Sequence, residues 1–262
     1  MTSNATSSAR HEPRTADASL YPDLVSAGGF AGALEAVAAD LGLSLGGVLV
    51  DASDPLRSAG VESTVADRKA CWIGLGSEER WFFFSGWSRG VQLVSGATRD
   101  LGARALEAWR KGLSLAEIRE VSPFVEVGEL AEAHEKGPAE AVALTWRRLV
   151  EGLRQESDRL GFAARMLQVA ELAHTEPRLR RLLPFSSHWS LHFSTRTGYP
   201  YPRDVPFVVP LSDGGFRVHG PSRGTVLGEA DTAEQAVALV VSGLPAHCGP
   251  AVAGTADDQR PS

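Results

Sequence analysis

The chain has 262 residues, 43% hydrophobic and 22% charged, ordinary globular usage that excludes a wholly disordered chain or a coiled coil. Its 26 basic residues against 32 acidic ones leave a net charge of −6, which argues against a general nucleic-acid binder, because that function needs a basic face to displace counterions from phosphates. No apolar run approaches the ~20 residues needed to cross a bilayer. The two cysteines, Cys71 and Cys248, lie far apart without a CxxC partner and fit reduced thiols in a cytoplasmic protein.

In chain order, residues 1–25 lack the apolar core of a secretory signal and are expected to form a disordered tail. An N-terminal α+β unit is expected over 26–112. Phe30, Leu34, Val37 and Leu41 fall at helical spacing, with Gly42 as the stop. A strand is expected at 45–50, a loop at 51–60, and three strands at 70–75, 80–85 and 90–94, punctuated by Gly74, Gly76, Gly86 and Gly90. Trp81 to Phe84 put apolar residues on both faces of one strand, so a helix is expected over the face turned from the core. Thr98 is expected to cap a helix over 99–111.

A helical middle follows over 113–177. Ser114 and Glu117 form a capping box, the longest helix is expected at 139–159, and another runs over 162–174. The C-terminal unit, 178–246, reads as strands at 188–194, 207–211, 215–219 and 225–227, then a helix at 233–242 capped from Thr232 or Asp231. Residues 247–262 are expected to form a second disordered tail. The fold class is therefore α+β: two antiparallel β-meanders, each followed by a helix, joined by a helical middle segment. The strings VSGATRDLGARALEAW and VLGEADTAEQAVALVV are loosely alike, which leaves a duplicated unit open beside chance alternation.

Few motifs carry chemistry. GWSRG at Gly86–Gly90 matches the nucleophile-elbow pattern, but the residues after Ser88 alternate as a strand would, so the segment reads as a hairpin turn. In SSHWSLHFS, alternation places Trp189, Leu191 and Phe193 on one face and His188, Ser190, His192 and Ser194 on the other. His188 and His192 would then stand about 13 Å apart, too far for one zinc ion, so no metal site is expected. The catalytic candidates are His188 and His192 as acid or base, with Ser187 or Asp204. The loop TRTGYPYPRDVP offers Arg196, Tyr199, Tyr201 and Arg203 for binding a ligand or partner, because Arg and Tyr dominate binding surfaces. No phosphate-binding loop, dinucleotide fingerprint or other cofactor motif is present, and no cofactor is expected.

The run from Arg178 to Pro245, above all PFSSHWSLHFS and VLGEADTAEQAV, resembles an actinobacterial domain of unknown function whose members carry the label natural product biosynthesis protein. The resemblance implies a bacterial cytoplasmic protein linked to specialised metabolism. It implies neither a reaction nor any site residue. The expectation is an accessory, non-catalytic protein that binds a pathway protein, a peptide or a small-molecule intermediate, with no nucleic-acid or membrane partner. The alternatives are a hydrolase or transferase with a histidine-based site in the C-terminal unit, and an acidic self-protection protein that captures a basic partner.

Overall fold

The computed structural model describes residues 18–51, 54–222 and 224–259, which fall into two units. One runs up to Gly86 and resumes over Val94–Glu126; the other combines Trp87–Leu93 with the chain from Val127 onward. Among the described residues there are eight α-helices and two antiparallel sheets, an α+β mixture in which strand meanders are followed by helices. The helical middle is not a unit of its own, because its first helix belongs with the N-terminal sheet and the rest with the C-terminal one.

In the first unit, α1 (Pro22–Ser26) and α2 (Phe30–Leu41) precede β1 (Val48–Val50), β2 (Ser58–Val61), β3 (Cys71–Leu75), β4 (Phe82–Ser88) and β5 (Val91–Thr98). Then come α3 (Ala103–Arg110), α4 (Leu115–Val121) and β6 (Val125–Glu126). The six strands lie side by side in sequence order. Buried Phe82 meets Tyr21 and Phe30 edge to face, at 5.4 and 5.9 Å between ring centres. The Tyr21 hydroxyl reaches the Gly76 carbonyl at 2.9 Å, so the segment expected to trail as a tail is anchored from residue 18 on; residues 1–17 lie outside the described residues.

Three local expectations need correction. Phe83, on the face turned from the core, is 53% exposed instead of covered by a helix. Thr98 does not cap α3. Its hydroxyl accepts from the Asp100 amide, Asp100 accepts in turn from the Gly102 amide, and the helix starts only at Ala103. Such local side-chain bonds compete with helix initiation. The span 51–60 is not all loop, since β2 begins at Ser58 and pairs with both β1 and β3. By contrast, the Ser114–Glu117 capping box forms in full.

The second unit contains α5 (Glu129–Lys136), α6 (Pro138–Ser157), α7 (Gly161–Thr175), β7 (Leu183–Ser187), β8 (Ser190–Ser194), β9 (Phe207–Pro210), β10 (Phe216–His219), β11 (Val226–Ala230) and α8 (Ala233–Ser242). Its sheet has the order β11-β10-β9-β8-β7. The core lies between one sheet face, carrying Leu191, Phe193, Val208, Phe216 and Val218, and the inner faces of α6, α7 and α8. Trp146 is wholly buried there, and its indole N–H donates to the Leu182 carbonyl at 3.1 Å, as a buried indole must if its polar edge is to be satisfied.

The segment 247–259 is not a disordered tail; residues 260–262 lie outside the described residues. The Ala251 amide donates to the Arg181 carbonyl at 2.9 Å, Val252 forms a parallel bridge with Arg196, and residues Ala256–Gln259 make a 3-10 turn. Its Gly and Pro content resembles a tail, yet Ala251 is 5% exposed and joins the core. Backbone pairing with the loop after β8 is what holds it. No helix among the described residues is long and apolar enough to cross a membrane.

Candidate functional site

The segment SSHWS folds as a tight hairpin. His188 and Trp189 occupy its two turn positions at φ +48° and +62°, and Ser187 pairs with Ser190. A two-residue hairpin of this type has left-handed backbone at both turn positions, usually met by Asn-Gly, so His-Trp gives no warning of the turn. His188 and Trp189 therefore leave the alternation expected for them. Trp189 is 56% exposed and packs on Phe162 at 3.9 Å between ring centres, outside the core. From Ser190 onward the strand obeys the alternation for its apolar set, with Leu191 and Phe193 buried in the core. Ser190 and Ser194 are also buried, while His192 between them on the same face is partly exposed.

On that face the register aligns a row of rings. Phe185 of β7 pairs with His192 of β8, and Phe207 of β9 pairs with His219 of β10. Neighbouring rings stack at 5.0 Å for Phe185–His192, 4.3 Å for His192–Phe207 and 5.0 Å for Phe207–His219, with planes 9–18° apart. Tyr201 extends the row beyond Phe185 at 4.6 Å, and Tyr199 stands perpendicular to Tyr201 at 5.8 Å. Cross-strand aromatic pairs of this kind stabilise a sheet and stiffen the surface they form.

A cavity of about 340 Å³ opens beside this row. Ser187 and His192 line it from the sheet; Tyr199, Tyr201 and Arg203 line it from the loop after β8; and Pro221 contributes from beyond β10. The loop is held at both sides by its backbone. The Gly198 amide donates to the Gly254 carbonyl at 2.8 Å, and the Tyr199 amide to the Gly90 carbonyl at 3.2 Å. Burial pushes the Tyr201 phenol above its ordinary value, so it stays protonated and able to donate.

The remaining candidates fall elsewhere. His188 is in the exposed turn, with Nδ1 3.0 Å from Ser187 Oγ, and does not converge with His192. Among the described residues no group of His, Cys, Asp and Glu could hold a metal ion. Asp204 accepts from the Thr195 hydroxyl and, with Arg196, lines a second cavity of about 210 Å³ near Cys248. Arg196 has a structural task there, donating to the Ala253 carbonyl at 3.2 Å beside its bridge to Val252. Burial and the Asp204 carboxylate raise the Cys248 thiol, partly offset by Arg178 and Arg181, and burial raises the Cys71 thiol; neither is primed as a nucleophile. Ser88 ends β4 at the turn Arg89–Gly90, which leads directly into β5, so no helix follows it as a nucleophile elbow requires. Thus Tyr199, Tyr201, Arg203, His192 and Ser187 come together, whereas Arg196, Asp204 and His188 do not. Phe185, Phe207 and Pro221 were absent from the sequence-based set.

Fold and site together define a two-unit α+β protein whose C-terminal unit holds a small aromatic cavity. Residues 140–255 match the model of a family of unknown function, DUF6193, a span that includes every residue of the cavity. No curated protein and no solved structure matches the chain.

Proposed function

We propose that this chain is an accessory, non-catalytic binding protein of bacterial natural product biosynthesis, acting in the cytoplasm of an actinobacterium. Its task is to hold a pathway intermediate, a peptide or a pathway protein through the cavity of the C-terminal unit. The observation that carries this reading is the convergence of Tyr199, Tyr201 and Arg203 on one cavity beside a stacked aromatic row. A concave pocket that combines aromatic and apolar walls with a few polar groups is the usual form of a ligand site. The biosynthetic context rests on the resemblance of PFSSHWSLHFS and VLGEADTAEQAV to proteins bearing that label.

The test is recovery of the tagged protein from its own host, with mass spectrometry of everything bound. The wild type is expected to retain a molecule that the variant Tyr199→Ala, Tyr201→Ala, Arg203→Ala loses while its melting temperature is kept. Equal retention by both would remove the cavity from consideration.

A hydrolase or transferase is the second reading, favoured by the 3.0 Å approach of Ser187 Oγ and His188 Nδ1. A serine nucleophile needs a base that a third group orients. Covalent labelling of Ser187 by a fluorophosphonate, lost in Ser187→Ala, would put this reading first.

A further inference from the structure

Resting on the cavity being a binding site, we infer that its occupant is a small aromatic carboxylate. The first observation is charge. The chain is acidic overall, yet none of the twelve described residues lining the cavity is Asp or Glu, and Arg203 is the one fixed cation among them. Some other arginines of this protein are neutralised internally, Arg80 by Asp23 at 2.8 Å, Arg154 by Glu171 at 2.7 Å and Arg217 by Glu229 at 2.6 Å, while others such as Arg57 and Arg104 are open like Arg203 but line no part of this cavity. Arg203 makes no hydrogen bond or ion pair with any described residue. A guanidinium left open at the mouth of a pocket without carboxylates is complementary to an anion, and its fork matches a carboxylate in two parallel bonds.

The second observation is the pair of phenols. Neither the Tyr199 nor the Tyr201 hydroxyl bonds to another described residue, although Tyr201 is half-buried. Both are hydrogen-bond donors lining the same cavity as Arg203.

The third observation is the ring row. Phe185, His192 and Phe207 stand face to face along the sheet, so the side turned from the strands presents their edges. Ring edges carry the positive end of the quadrupole and favour the face of another aromatic ring. A saturated ring offers them no such partner. The volume, about 340 Å³, lies near the lower end for ligand sites and suits one ring with a short acidic arm better than an extended peptide.

Three matched probes separate these contributions: phenylacetate, its neutral amide phenylacetamide, and cyclohexylacetate. Calorimetry gives affinities on the full chain, and NMR of labelled His192 and Tyr201 reports occupancy of this cavity. Phenylacetate is expected to bind about ten-fold or more tighter than either relative, and Arg203→Gln to bring it level with the amide. Equal binding of acid and amide, or of phenylacetate and cyclohexylacetate, overturns the inference while leaving a binding site in place. If none of the three moves the cavity resonances at about 1 mM, the inference fails as well. Retention of a host molecule by the wild type and its loss in the triple variant then shows whether the binding role survives without it.

Discussion

The His192 imidazole lies almost parallel to the Phe207 ring, 4.3 Å from it, while Phe185 covers its opposite face at 5.0 Å. Both faces of the histidine are thus used in packing. Phe207→Ala is expected to destabilise the protein by about 3 kcal/mol, because it removes a buried ring and breaks the row between His192 and His219. His192→Phe, which keeps the stack, is expected to cost less than about 1 kcal/mol. Urea unfolding monitored by circular dichroism gives both numbers.

Gly198 holds the cavity loop against its surroundings. A Cβ there would stand 1.7 Å from the Arg89 carbonyl oxygen and 3.0 Å from that of Gly254. Both obstacles are backbone and cannot turn aside. Gly198→Ala is expected to cost about 2 kcal/mol or more and to displace Tyr199 and Tyr201, so retention of the bound molecule falls together with thermal stability. A well-folded Ala variant with full retention would show that the loop is not held this closely.

His134 on α5 contributes a pH dependence. Burial holds its imidazole below the ordinary 6.5, since a charged ring loses hydration there. Above that value the ring is neutral in both the folded and unfolded chain and costs nothing. As pH falls through 6.5 the unfolded chain takes up the proton first, so stability declines. Chemical denaturation between pH 7.5 and about 5 is expected to show this decline, and His134→Gln to flatten it.

The start of α8 is closed by two bonds. Thr232 Oγ1 accepts from the Gln235 amide at 3.3 Å, and Gln235 Oε1 accepts from the Asp231 amide at 3.0 Å. Thr232→Ala is expected to lower stability by about 1 kcal/mol. Thr232→Ser, which keeps the acceptor, should cost only a few tenths. Denaturation midpoints with an unchanged slope would establish both values.

Much of the architecture could be read from local pattern. The capping box at Ser114, the side-chain cap at Thr232, the stop of α2 at Gly42 and the apolar stripe of α6 all answer to rules of a few residues' range, and the structure follows them. The tyrosines and the arginine of the cavity were also visible, as Tyr199, Tyr201 and Arg203 among prolines. What escaped depends on distant partners. The edge strand β7 carries Pro184, and its hairpin turns on His-Trp, so neither propensity nor turn chemistry marked it. Without β7 there was no reason to place Phe185 beside His192, since register is set by pairing across the sheet and not along the chain. The same holds for the C-terminal segment, which is ordered by backbone bonds to Arg181 and to residues 195–200 of the loop after β8. Helix caps and apolar stripes lie within a few residues of one another and are written in sequence. A cavity assembled from the loop after β8, three strands and a turn beyond β10 exists only once the sheet has brought them side by side.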